Sequence, residues 1–186
     1  MNGLPQHPFL VAPIEAINSR EYKFASGVVT YVMNKRFQDY THPLPSSSSD
    51  FFTHDIRMVL GGYYRRHKEE HITSYNEWFA VFEKSRANYN RFMLRVKNAY
   101  WVLPYRHHLL LQFLTEISVY ALCMYGDGYL EAPEIAMLII FDCLWPSRFF
   151  WFVDTIPFNQ HWKHLEQYCK NTGRHNRENQ LWRANT

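Results

Sequence analysis

The segment HHLLLQFLTEISVYALCMY, which begins at His107, is apolar on nearly every side of a helix. Leu109, Leu110, Leu111, Phe113, Leu114, Ile117, Val119, Tyr120 and Leu122 leave no broad polar stripe. A helix of that kind has to be surrounded, because no orientation turns a polar face to water. Pro104 opens the segment and Gly126-Asp127-Gly128 stops it, which sets a central helix at about 105–125. The rest of the chain must therefore supply its cover.

Helical periods are what the flanking sequence offers. Tyr22, Ala25, Val29, Val32, Met33, Arg36 and Tyr40 follow one stripe, with Asn18 and Glu21 as the start signal, and predict a helix over 19–40. Phe52, Ile56, Val59 and Tyr63 set a second period that contains Gly61 and Gly62, a pair that marks a kink or a close helix approach. Ser74 and Glu77 spell the S-x-x-E capping box, which predicts a long helix over 75–103. Pro133 and Glu134 suit the first turn of a helix reaching Trp145. SRFFWFVDTIPF reads as a short helix, and 159–171 as a last amphipathic one with Gly173 as its C′ residue. No stretch combines strict alternation with a hairpin turn. The expected fold is all-α, a single-domain bundle of six or seven helices around the central one. An extended arm at 1–17, a Pro/Ser linker at 41–50 and a polar tail at 174–186 complete the plan.

Composition bounds the setting. The 186 residues suffice for one core without metal or disulfide staples, and 47% are hydrophobic. Cys123, Cys143 and Cys169 are an odd number without a C-x-x-C pair, which argues for a reducing, intracellular compartment, cytoplasmic or nuclear. The N-terminus lacks the pattern of a signal peptide, and IAMLIIFDCLW falls short of the roughly 18 to 20 apolar residues of a membrane span. No membrane association is expected.

Three patterns compete to carry chemistry. His67, Glu70 and His71 spell H-x-x-E-H, in which two imidazoles one turn apart hold zinc and the carboxylate activates water. The capping box at Ser74 argues against it, since a helix ending near 70–72 gives that pair no platform. The plainer reading is an exposed basic helix end. In HWKHLEQYC, His161, His164 and Cys169 do not share one face, and core Cys with boundary His describes them better. His107 and His108 point about 100° apart and do not chelate together. Phosphate-binding glycine loops and nucleophile elbows are missing. No cofactor or metal is expected.

The basic residues form the third pattern. Lys84, Arg91 and Arg95 recur at i, i+7 and i+11 of the predicted long helix, with Arg65 and Arg66 shortly before. Such a stripe suits a phosphate backbone, although a net charge of +3 is low for a dedicated nucleic-acid binder. Aromatic residues make up 18% of the chain, more than a core of this size needs, which points to contact surface. The leading expectation is a non-enzymatic, intracellular helical interaction module, working as an adaptor, assembly or regulatory protein. Phe9 and Trp182 in its terminal arms are the expected anchors for a protein partner. The second expectation is a helical nucleic-acid-binding accessory protein using Arg65, Arg66, Lys84, Arg91 and Arg95. A metal-dependent hydrolase built on His67, Glu70 and His71 is the third.

Overall fold

A computed structural model describes residues 17–41, 51–145 and 160–184, the last ten of them by backbone alone. Six helices are present among the described residues: α1 (Arg20–Met33), α2 (His54–Val81), α3 (Arg86–Trp101), α4 (His107–Gly126), α5 (Ala132–Leu144) and α6 (His161–Ala184). The described residues contain no strand. The all-α bundle is the fold.

α4 is the centre. From Leu110 to Met124 almost every residue is buried, and α2, α5, α1 and α3 all pack on it. Its buried Thr115 and Ser118 hydroxyls are satisfied within the helix, Thr115 donating to the Leu111 carbonyl and Ser118 to that of Leu114, each at 2.7 Å. Each fully buried leucine, isoleucine or phenylalanine here contributes about 1.5 to 3 kcal/mol. α4 has the length and apolarity to cross a membrane, and 72% of its apolar window is packed inside the bundle. The stop works as expected: the chain leaves the helix through Gly128 at φ 96°, a left-handed conformation that favours glycine. Pro133 then sits in the first turn of α5.

The capping box does not cap. α2 runs without interruption through Ser74 because His71, Tyr75 and Phe79 form a buried i, i+4 stripe along that stretch. Tyr75 donates to Asp127 at the end of α4 and His71 packs on Tyr120, so α2 and α4 run in the same direction. Tertiary burial of this stripe overrides the local signal at Ser74, whose side chain instead lies beside the Tyr120 hydroxyl. The break falls at 82–85, where Phe82 turns extended and Ser85 caps α3 by accepting from the Asn88 amide at 3.3 Å. The helix expected over 75–103 is thus two helices.

Other boundaries shift less. Ser19, not Asn18, caps α1 by accepting from the Tyr22 amide at 3.2 Å, and the helix ends at Met33 rather than near residue 40. Beyond it the chain turns, and Phe37 and Tyr40 pack against Tyr125 at 4.9 and 5.7 Å. α6 continues through Gly173 to Ala184, so that glycine does not close it and the expected tail is helical to residue 184. Gly61 marks a close approach: a Cβ there would lie 2.5 Å from the Tyr31 hydroxyl of α1, whereas Gly62 faces open space. Cys123, Cys143 and Cys169 are free thiols buried on α4, α5 and α6. Burial pushes their pKa values up, to about 11 for Cys123 and about 12 for the other two. The expected short helix at 147–158, most of the arm at 1–17 and the linker at 42–50 lie outside the described residues.

Candidate functional site

Among the described residues, α3 packs on the bundle through one side. Its inner side carries Tyr89, Phe92, Met93, Val96 and Tyr100. Phe92 reaches Tyr120 at 4.6 Å and Trp78 at 5.2 Å between ring centroids, and Tyr100 donates to Glu116 at 2.7 Å. A near-buried ion pair, Lys97 to Asp142 at 2.5 Å, ties the C-terminal half of α3 to α5. Tyr89 donates across to the Ala132 carbonyl at 3.4 Å. These contacts set the rotation of the helix about its axis, and with it which residues face outward.

The outward face is a shallow depression lined by Ala87, Asn90, Arg91, Leu94, Arg95 and Asn98. The spacing i, i+3, i+4, i+7, i+8, i+11 is one continuous helical stripe. Ala87, Arg91, Arg95 and Asn98 are exposed, while Asn90 and Leu94 are half-buried. The Arg95 guanidinium lies 5.1 Å over the Trp78 ring of α2, a cation–π contact that holds it in place. Among the described residues neither Arg91 nor Arg95 has a carboxylate partner in an ion pair.

The remaining members of the expected basic set lie elsewhere. Lys84 precedes the α3 cap, in the loop after α2, and pairs with Asp127 at 2.8 Å. Tyr75 donates to the same carboxylate oxygen at 2.6 Å. Burial raises the pKa of Asp127, but the hydrogen bonds from Lys84 and Tyr75 outweigh it and hold the carboxyl below its ordinary range. Tyr129 also donates to the Lys84 carbonyl, so this lysine belongs to the junction between the 82–85 loop and the α4–α5 turn. Arg65 and Arg66 are exposed on α2, with Arg65 beside Gly61 and Arg66 beside Tyr63. Of the five, Arg91 and Arg95 share a face. Phe9 lies outside the described residues, and Trp182 is placed on α6 by its backbone alone.

The H-x-x-E-H turn sits on an unbroken helix, so the objection raised by the capping box falls. The side chains nevertheless diverge. His67 Nδ1 is 3.2 Å from Glu70 Oε2 at the surface, whereas the His71 ring packs inward 6.0 Å from Tyr120. Burial lowers the His71 pKa more than Glu116 and Glu70 raise it. Among the described residues no three His, Cys, Asp or Glu side chains converge on a point that would hold a metal ion.

The histidines of α4 and α6 form a cluster that local sequence does not announce. His107 and His161 stack in parallel, 6.4 Å apart with planes 3° from each other, and His107 stacks again on Tyr168 at 5.2 Å. Burial, then the neighbouring His107 and His164, push the His161 pKa down to about 3. His164 is exposed and Cys169 buried, so that trio does not share a face, as the helical spacing requires. The only advance signal was a histidine in the first turn of each helix.

Comparison with protein-family models, with curated proteins and with solved structures returned no match. Among the described residues the chain is an all-α bundle whose α3 turns outward a face of two arginines, two asparagines and two aliphatic side chains.

Proposed function

We propose that this chain is a non-enzymatic helical interaction module that docks a protein partner on the outward face of α3. The observation that carries this reading is the stripe itself. Leu94 lies among Asn90, Arg91, Arg95 and Asn98 and Ala87 opens the stripe at its N-terminal end, on a helix whose other side packs on the core. Surfaces of this make-up, an apolar centre with arginine at the rim, suit protein recognition. Nucleic acid is the weaker reading because the five basic residues do not align: Lys84 is neutralised by Asp127 and Arg65 and Arg66 sit on another helix. A phosphate track needs a run of cations, and this face supplies two.

The test is site-specific photo-crosslinking in cells that express the chain. A photoreactive residue at Asn90 or Asn98 is expected to give a protein adduct that the same residue at exposed Lys163 on α6 does not. Equal adducts at all three positions, or none at Asn90 and Asn98, would remove the α3 face as the docking element.

A further inference from the structure

We infer that the occupant of the α3 face is an acidic amphipathic helix of another protein, about three turns long, with two carboxylates one turn apart. This rests on the reading of α3 as the docking element and adds the chemistry of what docks.

The dimensions come from the stripe. Ala87 to Asn98 spans eleven helical rises, about 17 Å, which a partner helix of about 12 residues matches. Arg91 and Arg95 stand four residues apart, a rise of about 6 Å along the axis. Carboxylates at i and i+4 of a second helix repeat at that same interval, so one pair of acids meets both guanidiniums without strain. Ala87 and Leu94, seven residues apart, give the stripe two contact points separated by two turns. The small side chain at Ala87 lets the two backbones approach closely at that end. Asn90 and Asn98 supply both amide donors and acceptors at the rim. Arg95 is already held over Trp78, which lowers the side-chain entropy lost when it binds.

Two other occupants fit less well. A second copy of this chain, pairing α3 on α3 by a two-fold, would place four arginines in one interface with no carboxylate on the face to offset them. A phosphate backbone would continue past Arg91 and Arg95 and meet cations already spoken for, since Lys84 pairs with Asp127 and Arg86 with Glu131 at 3.8 Å. A short acidic helix asks for no more than Arg91 and Arg95, which have no carboxylate partner among the described residues.

The experiment uses the full chain and fluorescence anisotropy with a labelled, alanine-rich helical peptide. It carries two glutamates at i and i+4 and leucines on the adjoining face, and a second peptide has lysines in place of the glutamates. The acidic peptide is expected to bind and the lysine peptide not to. Arg91→Glu with Arg95→Glu should weaken the acidic peptide at least tenfold and create binding of the lysine peptide. Arg91→Glu alone, which leaves the Arg95–Trp78 contact in place, should weaken it severalfold, and circular dichroism confirms that each variant is folded. Equal binding of both peptides, or no acidic-peptide binding at low salt and millimolar protein, overturns the inference. So does tighter binding of a single-stranded oligonucleotide that is lost in the same variants. If adducts form at Asn90 and Asn98 while the acidic peptide fails, the docking face stands and the acidic helix falls; without adducts, the docking face itself falls.

Discussion

The contact between Gly61 and Tyr31 makes a sharp test of how α1 and α2 meet. A methyl group at Gly61 would stand 2.5 Å from the Tyr31 hydroxyl, where ordinary contact begins near 3.4 Å, so 0.9 Å has to be absorbed. Tyr31 is not free to swing, because its ring packs on Phe52 at 5.8 Å and carries Lys35 at 4.2 Å over its face. Overpacking of this order costs about 1 to 3 kcal/mol. Alanine in a helix interior returns about 1 kcal/mol relative to glycine. Gly61→Ala should therefore destabilise by up to about 2 kcal/mol. The same change in a Tyr31→Phe background meets the ring carbon and the Arg65 guanidinium, each at 3.6 Å and each an ordinary contact. There the propensity gain is left over and Gly61→Ala should stabilise by up to about 1 kcal/mol. Urea denaturation of the four proteins, followed by far-UV circular dichroism, gives the coupling energy, expected at about 1 to 3 kcal/mol. Additivity within about 0.5 kcal/mol would show that the hydroxyl does not set the approach of the helices.

Further outcomes follow from buried charge, capping and titration. The folded pKa of His161, about 3, lies below its unfolded value near 6.5, so the unfolded chain binds the proton first as pH falls. Its contribution is fully present above pH 6.5 and declines by about 1.4 kcal/mol per pH unit below it, roughly 2 kcal/mol by pH 5. His161→Gln should reduce the slope of the stability profile between pH 6.5 and 4, leaving the part due to buried His71 and His107, and a wild-type slope retained in the variant would assign the titration to those two. Removing one partner of the Lys97–Asp142 pair, as Lys97→Met, should cost about 3 kcal/mol, whereas Lys97→Met with Asp142→Leu should recover most of it. Equal losses in the single and double variants would show that the pair does not act as a unit. Ser85→Ala should cost about 1 kcal/mol as a lost cap. A larger loss at Ser74→Ala than at Ser85→Ala would return the helix start to Ser74.

Much of the architecture was legible because burial leaves a periodic trace. The all-round apolar run at 109–122 has one outcome, a central helix; Gly128 ends it and Pro133 opens the next helix with backbone chemistry that needs no tertiary help. Ser74 misled because S-x-x-E is a local signal, while the stripe His71, Tyr75, Phe79 that overrides it gains its energy from α4, far away in sequence. That error carried into the basic stripe. Lys84 fits the i, i+7, i+11 arc only if the helix is continuous from 75, and the loop at 82–85 takes it out of register with Arg91 and Arg95. Asn88, in the first turn of α3, reaches back to the Glu83 carbonyl at 2.9 Å and steadies the loop. The pairing of His107 with His161 joins two helix starts that no local period relates.

The three thiols turn the bundle into its own clock. Cys123, Cys143 and Cys169 mark α4, α5 and α6 one apiece, and each is both covered and held in its unreactive protonated form by burial. A thiol reagent can reach one of them only when the packing between its helix and the neighbours that cover it opens. The order in which the three are modified under native conditions is therefore a record, written in covalent bonds, of which layer of the fold lets go first.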